Sequence, residues 1–160
     1  MIGTVSTEEM AALARRYGCD HAINYQTESF PERVRKITDG RGVDVVYDGV
    51  GRATFGGGIE CLEPRGYFIG YGNASGNFLD IDPLWLMRQG SIYFQRTAMY
   101  GFIRTREDRE MMGGEFVCLV RNGSIKIEVN RPYLLSESRQ SHIDLQDRKT
   151  SGSVVFDSRG

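Results

Sequence analysis

The six residues Val43-Asp44-Val45-Val46-Tyr47-Asp48 leave this chain few folds to adopt. Their nearly continuous β-branched character marks a strand buried on both faces, and such strands belong to parallel sheets covered by helices. A parallel sheet needs long crossover connections, most often helical, between successive strands.

The flanking sequence supplies them. An apolar strand over Met1 to Val5 runs into Ser6-Thr7-Glu8-Glu9, where Ser6 and Glu9 have capping-box spacing, and Met10, Leu13, Ala14 and Tyr17 follow on one helical face before Gly18. A short strand is expected over His21 to Tyr25. A second helix is expected after Ser29, with Pro31 in its first turn, Glu32 completing its box and Phe30, Val34 and Ile37 on its apolar face. Beyond the β-branched run come a glycine turn, a helix over about Thr54 to Leu62, and a strand over Gly66 to Tyr71. The order β-α-β-α-β-α-β predicts an α/β fold with one parallel sheet and right-handed crossovers. Pro83 to Met87 reads as one or two helical turns and Ser91 to Gln95 as an edge strand. Thr105 to Arg121 reads as a longer helix in which Gly113-Gly114 predicts a kink or weak spot. The last third predicts a strand or hairpin over Ile125 to Leu134, a helix over Glu137 to Arg148 capped by Ser136, and a closing strand from Ser153 to Phe156.

The charge balance narrows the partners. With 20 basic and 21 acidic residues, the net charge of -1 offers no field for a phosphate backbone, so nucleic acid is not expected. Cys19, Cys61 and Cys118 are too few and too widely spaced for a disulfide framework or a paired-cysteine zinc site. They read as reduced thiols of a cytoplasmic protein, with no metal centre expected. No apolar run approaches the roughly 18 residues of a membrane helix. His21 and His142 are the two histidines, and with no elbow motif they assemble no persuasive nucleophilic set with Asp144. Catalytic residues stay unassigned.

Two glycine stretches carry candidate chemistry. Gly49-Val50-Gly51-Arg52-Ala53-Thr54 lies between a strand and a helix, and reads either as a dinucleotide fingerprint with its third glycine replaced or as a tight turn at a strand's carboxyl end. No acidic residue follows where the next strand ends, which favours the turn. Such strand ends line the ligand crevice of doubly wound folds in either case. Gly70-Tyr71-Gly72-Asn73-Ala74-Ser75-Gly76 either lets backbone approach a flat ligand or is an irregular loop.

The ordered stretches IGTVSTEE, GCDHAINY, GRGVDVVYDGVG, CLEPRGYFIGYGNASG, GSIYFQR, TRED and DRKTSGSVV together resemble the carboxyl-terminal half of the zinc-independent, zeta-crystallin-like quinone oxidoreductases of the medium-chain dehydrogenase/reductase superfamily. The resemblance implies a partial Rossmann fold lacking its first strand and glycine-rich loop, with a C-terminal helix and β extension. It implies a partial dinucleotide-binding domain over residues 1–121 and an extension over 122–160 that packs on a catalytic barrel absent from this sequence. The activity implied is hydride transfer from NADPH to a quinone or related enone, with the isolated chain expected to be incompetent. The alternatives are a fragment of an enoyl reductase and a non-catalytic dimerisation or interaction module on a Rossmann remnant.

The resemblance also implies site roles. Ser6 stands where an NAD-specific domain has an acidic residue, and a small residue there leaves space for a 2'-phosphate; its plainer reading is a helix N-cap. Four residues on, Met10 stands where the family often has a lysine, so a basic side chain such as Arg15 would have to substitute. Met10 reads otherwise as a core-facing helix residue. Tyr25 corresponds to a tyrosine near the adenosine phosphate. Val50 and Gly51 fall at the strand end facing the nicotinamide, and Gly72 with Asn73 at the next, where they can hold the carboxamide. Arg96 matches an arginine close to the cofactor, though Thr97 replaces the proline usual after it. Arg148 matches a late cofactor-contacting arginine, with a solvated helix-end residue as the alternative. The strand 91–95 is the expected edge of a homodimer.

Overall fold

A computed structural model describes residues 1–127, 129–147, 149–150 and 152–158. It divides into two compact units, Met1–Gly101 and Phe102–Gly160. The long helix after Thr105 thus groups with the second unit, ahead of the boundary that the sequence places at 121.

In the first unit, strands and helices alternate as β1 (Ile2–Val5), α1 (Glu8–Arg16), β2 (His21–Asn24), α2 (Phe30–Ile37), β3 (Val43–Asp48), α3 (Arg52–Glu60), β4 (Leu62–Gly70), α4 (Pro83–Arg88) and β5 (Tyr93–Arg96). Every pairing is parallel, but the sheet is in two pieces. β1 pairs with β2, while β3, β4 and β5 form a separate ribbon in that order. Among the described residues no strand pairs with the second edge of β1 or of β3. This is a Rossmann sheet lacking its first strand and its glycine-rich loop.

Packing holds the two pieces together. Ile59, Leu62, Phe68 and Ile92 form the core of the three-stranded piece, flanked by Phe55, Phe78, Trp85 and Phe94. Ile23, Val34 and Cys61 form a second cluster under α2, with Ile2 of β1 and Val43 and Val46 of β3 against it. Val43 and Val46 touch both clusters, so one apolar layer runs beneath both sheet pieces. Arg35 of α2 adds a polar tie. Its guanidinium donates to the carbonyls of Gly40 (2.8 Å) and Arg41 (3.1 Å), and to those of Glu60 (2.8 Å) and Leu62 (3.2 Å). A planar fork with five donors is suited to such a task, which a lysine ammonium cannot reproduce.

Several local expectations are corrected. The cap of α1 is Thr7, whose hydroxyl accepts from Met10 N (3.2 Å), because the helix begins one residue later than the Ser6–Glu9 spacing implied. Ala11 is the buried residue of α1, and Met10 and Tyr17 are exposed, so the buried side lies one position along from the expected stripe. Ser29 occupies the cap position of α2 without a side-chain bond, so no box forms with Glu32. β3 is not buried on both faces: Val46 packs inward while Val45 and Tyr47 are exposed, because α3 and α4 supply side chains to one face only. β5 starts at Tyr93 rather than Ser91, whose φ of 58° is incompatible with a strand. β4 starts early, at Leu62, with an irregular register opposite Val43 to Val45 that absorbs Pro64 and the left-handed Arg65.

The second unit contains α5 (Arg106–Arg121), β6 (Val129–Leu134), α6 (Ser138–Gln146) and β7 (Ser153–Asp157). Thr105 and Asp108 cap α5 reciprocally, and the helix continues through Gly113-Gly114 without the expected interruption. Two glycines cost on the order of 2 kcal/mol against alanine, which a capped sixteen-residue helix absorbs. β6 is a single strand, the first of the two alternatives for Ile125 to Leu134, and it pairs in parallel with β7, with α6 providing the crossover. α6 starts at Ser138 after a short 3₁₀ turn, so Ser136 is not its cap. Tyr133 is fully buried and donates its hydroxyl to Asp144 (2.9 Å).

Candidate cofactor-binding site

The carboxyl ends of the strands in the first unit gather most of the candidate residues into two groups. In the first, Val5 pairs with Asn24, and Tyr25 N donates to Val5 O (3.1 Å), so Tyr25 leaves β2 beside the point where Ser6 leaves β1. With Thr7 making the cap, Ser6 is half-buried and plays no part in starting the helix. Asn24 is buried beneath them, accepting from Gln26 N (3.1 Å) and donating to Glu8 Oε1 (3.3 Å). The small, uncharged Ser6 is compatible with a phosphate, but Glu8 and Glu9 in the first turn oppose one electrostatically. Arg15 is the basic residue that would have to stand in for a lysine at position 10. It lies in the last turn of α1, roughly 13 Å along the axis from Ser6 at 1.5 Å per residue.

The second group is built from two loops, one after β3 and one after β4. Asp48, the last residue of β3, is buried, and its Oδ1 accepts from Val50 N (2.8 Å) and Gly51 N (2.7 Å) while its Oδ2 accepts from the Thr54 hydroxyl. The backbone of the second loop then crosses the first. Tyr71 N and Gly72 N donate to Asp48 O, Ala74 N to Gly49 O (3.3 Å), and Ser75 N to Val50 O (2.7 Å). Ser75 Oγ donates to Val50 O (2.8 Å) and accepts from Ala53 N (2.9 Å). The approach is so close that a Cβ on Gly72 would stand 2.3 Å from Gly49 O, and one on Gly51 2.4 Å from Gly76 O. Glycine at 51 and 72 is therefore required by loop meeting loop.

These bonds decide between the two readings of Gly49-Val50-Gly51-Arg52-Ala53-Thr54. A pyrophosphate loop works by presenting free N–H groups at a helix start. Here Val50 N and Gly51 N bond Asp48, Arg52 N bonds Gly76 O (3.1 Å), Ala53 N bonds Ser75 Oγ and Thr54 N bonds Gly51 O (3.1 Å). The amino end of α3 is closed by protein groups, beside a carboxylate. The stretch is a tight turn.

Val50 and Asn73 remain exposed on this paired loop, with Asn73 Nδ2 donating to Asn77 Oδ1 (2.7 Å). Arg96 closes the third side: opposite Gly70 in the register, its Nη1 donates to Gly70 O (3.0 Å) and Thr97 O (2.5 Å). Next to it the Thr97 hydroxyl oxygen is buried with no hydrogen-bond partner among the described residues. The structure thus brings together Val50, Gly51, Gly72, Asn73 and Arg96, and separately Ser6 and Tyr25. Arg148 lies outside the described residues. The sequence reading missed Asp48, Thr54 and Ser75. An aspartate ending a strand two residues before a backbone turn is a recognisable local signal, whereas Ser75 carries none, since its partners are more than twenty residues away.

Among the described residues no group of three or more His, Cys, Asp or Glu is placed to hold a metal ion. Cys19 and Cys61 are buried and Cys118 is exposed on α5. No helix among the described residues is long and apolar enough to cross a membrane.

Comparison with known proteins places this geometry. Residues 1–115 match the family described as zinc-binding dehydrogenase. A quinone oxidoreductase of Pseudomonas aeruginosa is 38% identical over 156 residues, covering 98% of this chain and 48% of the relative. A 2-haloacrylate reductase from a Burkholderia species is 39% identical over 160 residues, covering 98% of this chain and 47% of that protein. The crystal structure of an Escherichia coli quinone oxidoreductase complexed with NADPH superposes with a TM-score of 0.90 at 36% identity, over 96% of this chain and 48% of that one. The chain spans about half the length of the curated relatives it matches. With the parallel strand order, the paired loops and these likenesses in agreement, the chain belongs to the zinc-binding dehydrogenase family of the medium-chain dehydrogenase/reductase superfamily, as a carboxyl-terminal portion of its quinone oxidoreductase group.

Proposed function

We propose that this chain is the cofactor-binding part of a cytoplasmic, zinc-independent reductase that uses NADPH to reduce quinones or related enones. The observation that carries the reading is the convergence of Val50, Gly51, Gly72, Asn73 and Arg96 on one strand-end crevice, with the non-acidic Ser6 beside Tyr25 at the other strand ends. When bound, NADPH supplies a hydride from its nicotinamide ring. The chain's own residues orient that ring. The β3 and β4 loops offer a fixed backbone surface, Asn73 offers an amide to the carboxamide, and the buried Thr97 hydroxyl a donor or acceptor nearby. At the other end, Ser6 leaves room for a 2'-phosphate and Tyr25 flanks the adenosine phosphate. The family resemblance adds Arg148 as a further cofactor-contacting residue.

The domain division that goes with this reading is a cofactor-binding part over residues 1–121 and an extension over 122–160 that packs on a substrate-binding barrel. The split sheet and the absence, among the described residues, of a phosphate loop support the expectation that this polypeptide alone does not turn over. Isothermal calorimetry with NADPH and a quinone reduction assay check it. Millimolar or no binding and no turnover are expected, and a low-micromolar Kd with turnover would refute incompetence while upholding the cofactor. The similarity to a 2-haloacrylate reductase favours a second substrate class, an activated alkene acid, which the same assay with 2-chloroacrylate distinguishes once activity is present.

The outer edge of β5 pairs with nothing among the described residues, which supports dimerisation through that edge. Tyr93→Asp, at an exposed position, should convert a dimer to a monomer by light scattering; an unchanged mass removes the proposal.

A further inference from the structure

We propose that Asp48 and Ser75 are positioning residues that fuse the β3 and β4 loops into one unit, so that Val50-Gly51 and Gly72-Asn73 meet a nicotinamide ring as a single preformed surface; the ligand half of this inference rests on the NADPH reading above. Asp48 acts through its neighbours. Its Oδ1 fixes two consecutive N–H groups of the first loop and its Oδ2 ties that loop to Thr54 in α3, while its own carbonyl receives Tyr71 N and Gly72 N of the second loop. Ser75 closes the other end. Its hydroxyl bridges Val50 O and Ala53 N, so the second loop is fastened both to the first loop and to the start of α3. A buried carboxylate is costly unless its oxygens are hydrogen-bonded, and here three donors converge on it. Such an anchor is stronger than a turn alone requires. The glycines permit the two loops to touch, and the two polar side chains fix where.

Preorganisation of this kind lowers the ordering cost of ligand binding. It also separates the roles of the side chains. Asparagine at 48 keeps one carbonyl oxygen for Val50 N and Gly51 N and can donate to the Thr54 hydroxyl, whereas alanine removes every one of these bonds.

The test uses the full chain, with reduced nicotinamide mononucleotide as the probe, because that half-cofactor does not depend on a pyrophosphate loop. Binding is followed by NMR shifts at Gly51, Gly72 and Asn73, and loop coupling by amide hydrogen exchange. Asp48→Ala and Ser75→Ala should each weaken the probe by roughly tenfold, about the worth of one net hydrogen bond, and Asp48→Asn should restore binding to within about threefold. Asp48→Ala should also speed exchange in the second loop, at Ala74 and Ser75, although it removes no side-chain bond there. Exchange that rises only over residues 49–54 overturns the fusion. Wild-type binding that survives both alanine variants unchanged overturns the positioning role, as does an asparagine variant as weak as alanine. If the wild-type chain does not bind the probe at all, the claim that the two loops form a preformed ring surface in this chain falls, and the exchange data still decide whether the loops are one unit.

Discussion

The two pieces of the sheet in the first unit are built differently. The β3–β4–β5 piece carries its own aromatic core, in which Phe55 meets Phe68, Phe78, Trp85 and Phe94 edge-on at centroid distances of 5.1 to 5.7 Å. Its strand-end loops are laced together. The β1–β2 piece has two four-residue strands, contributes Ile2 and Ile23 to the shared cluster, and shares that cluster with Phe30, Val34 and Ile37 of α2. A two-stranded ribbon is marginal by itself. One part of the crevice is thus self-supporting and the other borrowed; under the proposed cofactor reading the rigid surface would meet the ring and the adaptable one the phosphate.

Truncation of the aromatic core should break the comparison most severely. Phe68→Ala, at a position with 0% exposure, is expected to cost about 3–5 kcal/mol in urea denaturation. A loss below about 1 kcal/mol would show that the piece does not rely on that core. Arg35→Lys should sharpen the difference at a cost of roughly 2 kcal/mol, since lysine cannot span four carbonyls. Amide exchange should accelerate in β1 and β2 while β4 stays protected, and uniform acceleration would argue against two separately supported pieces. Thr7→Ala is expected to remove about 1 kcal/mol through loss of the α1 cap, against under about 0.5 kcal/mol for Ser6→Ala. Equal effects would return the cap to Ser6 and weaken its assignment to the cofactor.

The last effect concerns pH. Burial pushes the Cys61 thiol from an ordinary 9.0 up to about 11. Between those values an unfolded chain releases the proton while the folded one keeps it, so the folded form binds more protons and stability falls as pH rises. Thermal melts from pH 8 to 11 should show this decline in the wild type and a shallower one in Cys61→Ala; parallel curves would place the sensitivity elsewhere.

Much of the fold was legible because helix and strand periods are local properties. The alternation of elements, the glycine at 18 and the parallel character of Val43 to Asp48 all follow from side chains a few residues apart. Boundaries were less legible, as Thr7 shows: Ser6, Thr7 and Glu9 satisfy two cap registers, and packing of Ala11 selects the later one. The same holds at β6, where the reading left a strand or a hairpin open over Ile125 to Leu134 and the structure has a single strand over Val129–Leu134.

What the sequence determined by itself is the class of sheet, the family and the residues that stand at strand ends. Those are fixed by residue type and order. The tertiary structure alone decided what the glycine stretch does. Its donors face either a ligand or another loop, and only the arrival of Gly72 to Gly76 from beyond the next strand shows that they are already used. It likewise decided that Ser75 joins the two loops, because a hydrogen bond between residues 25 positions apart leaves no mark in either local sequence.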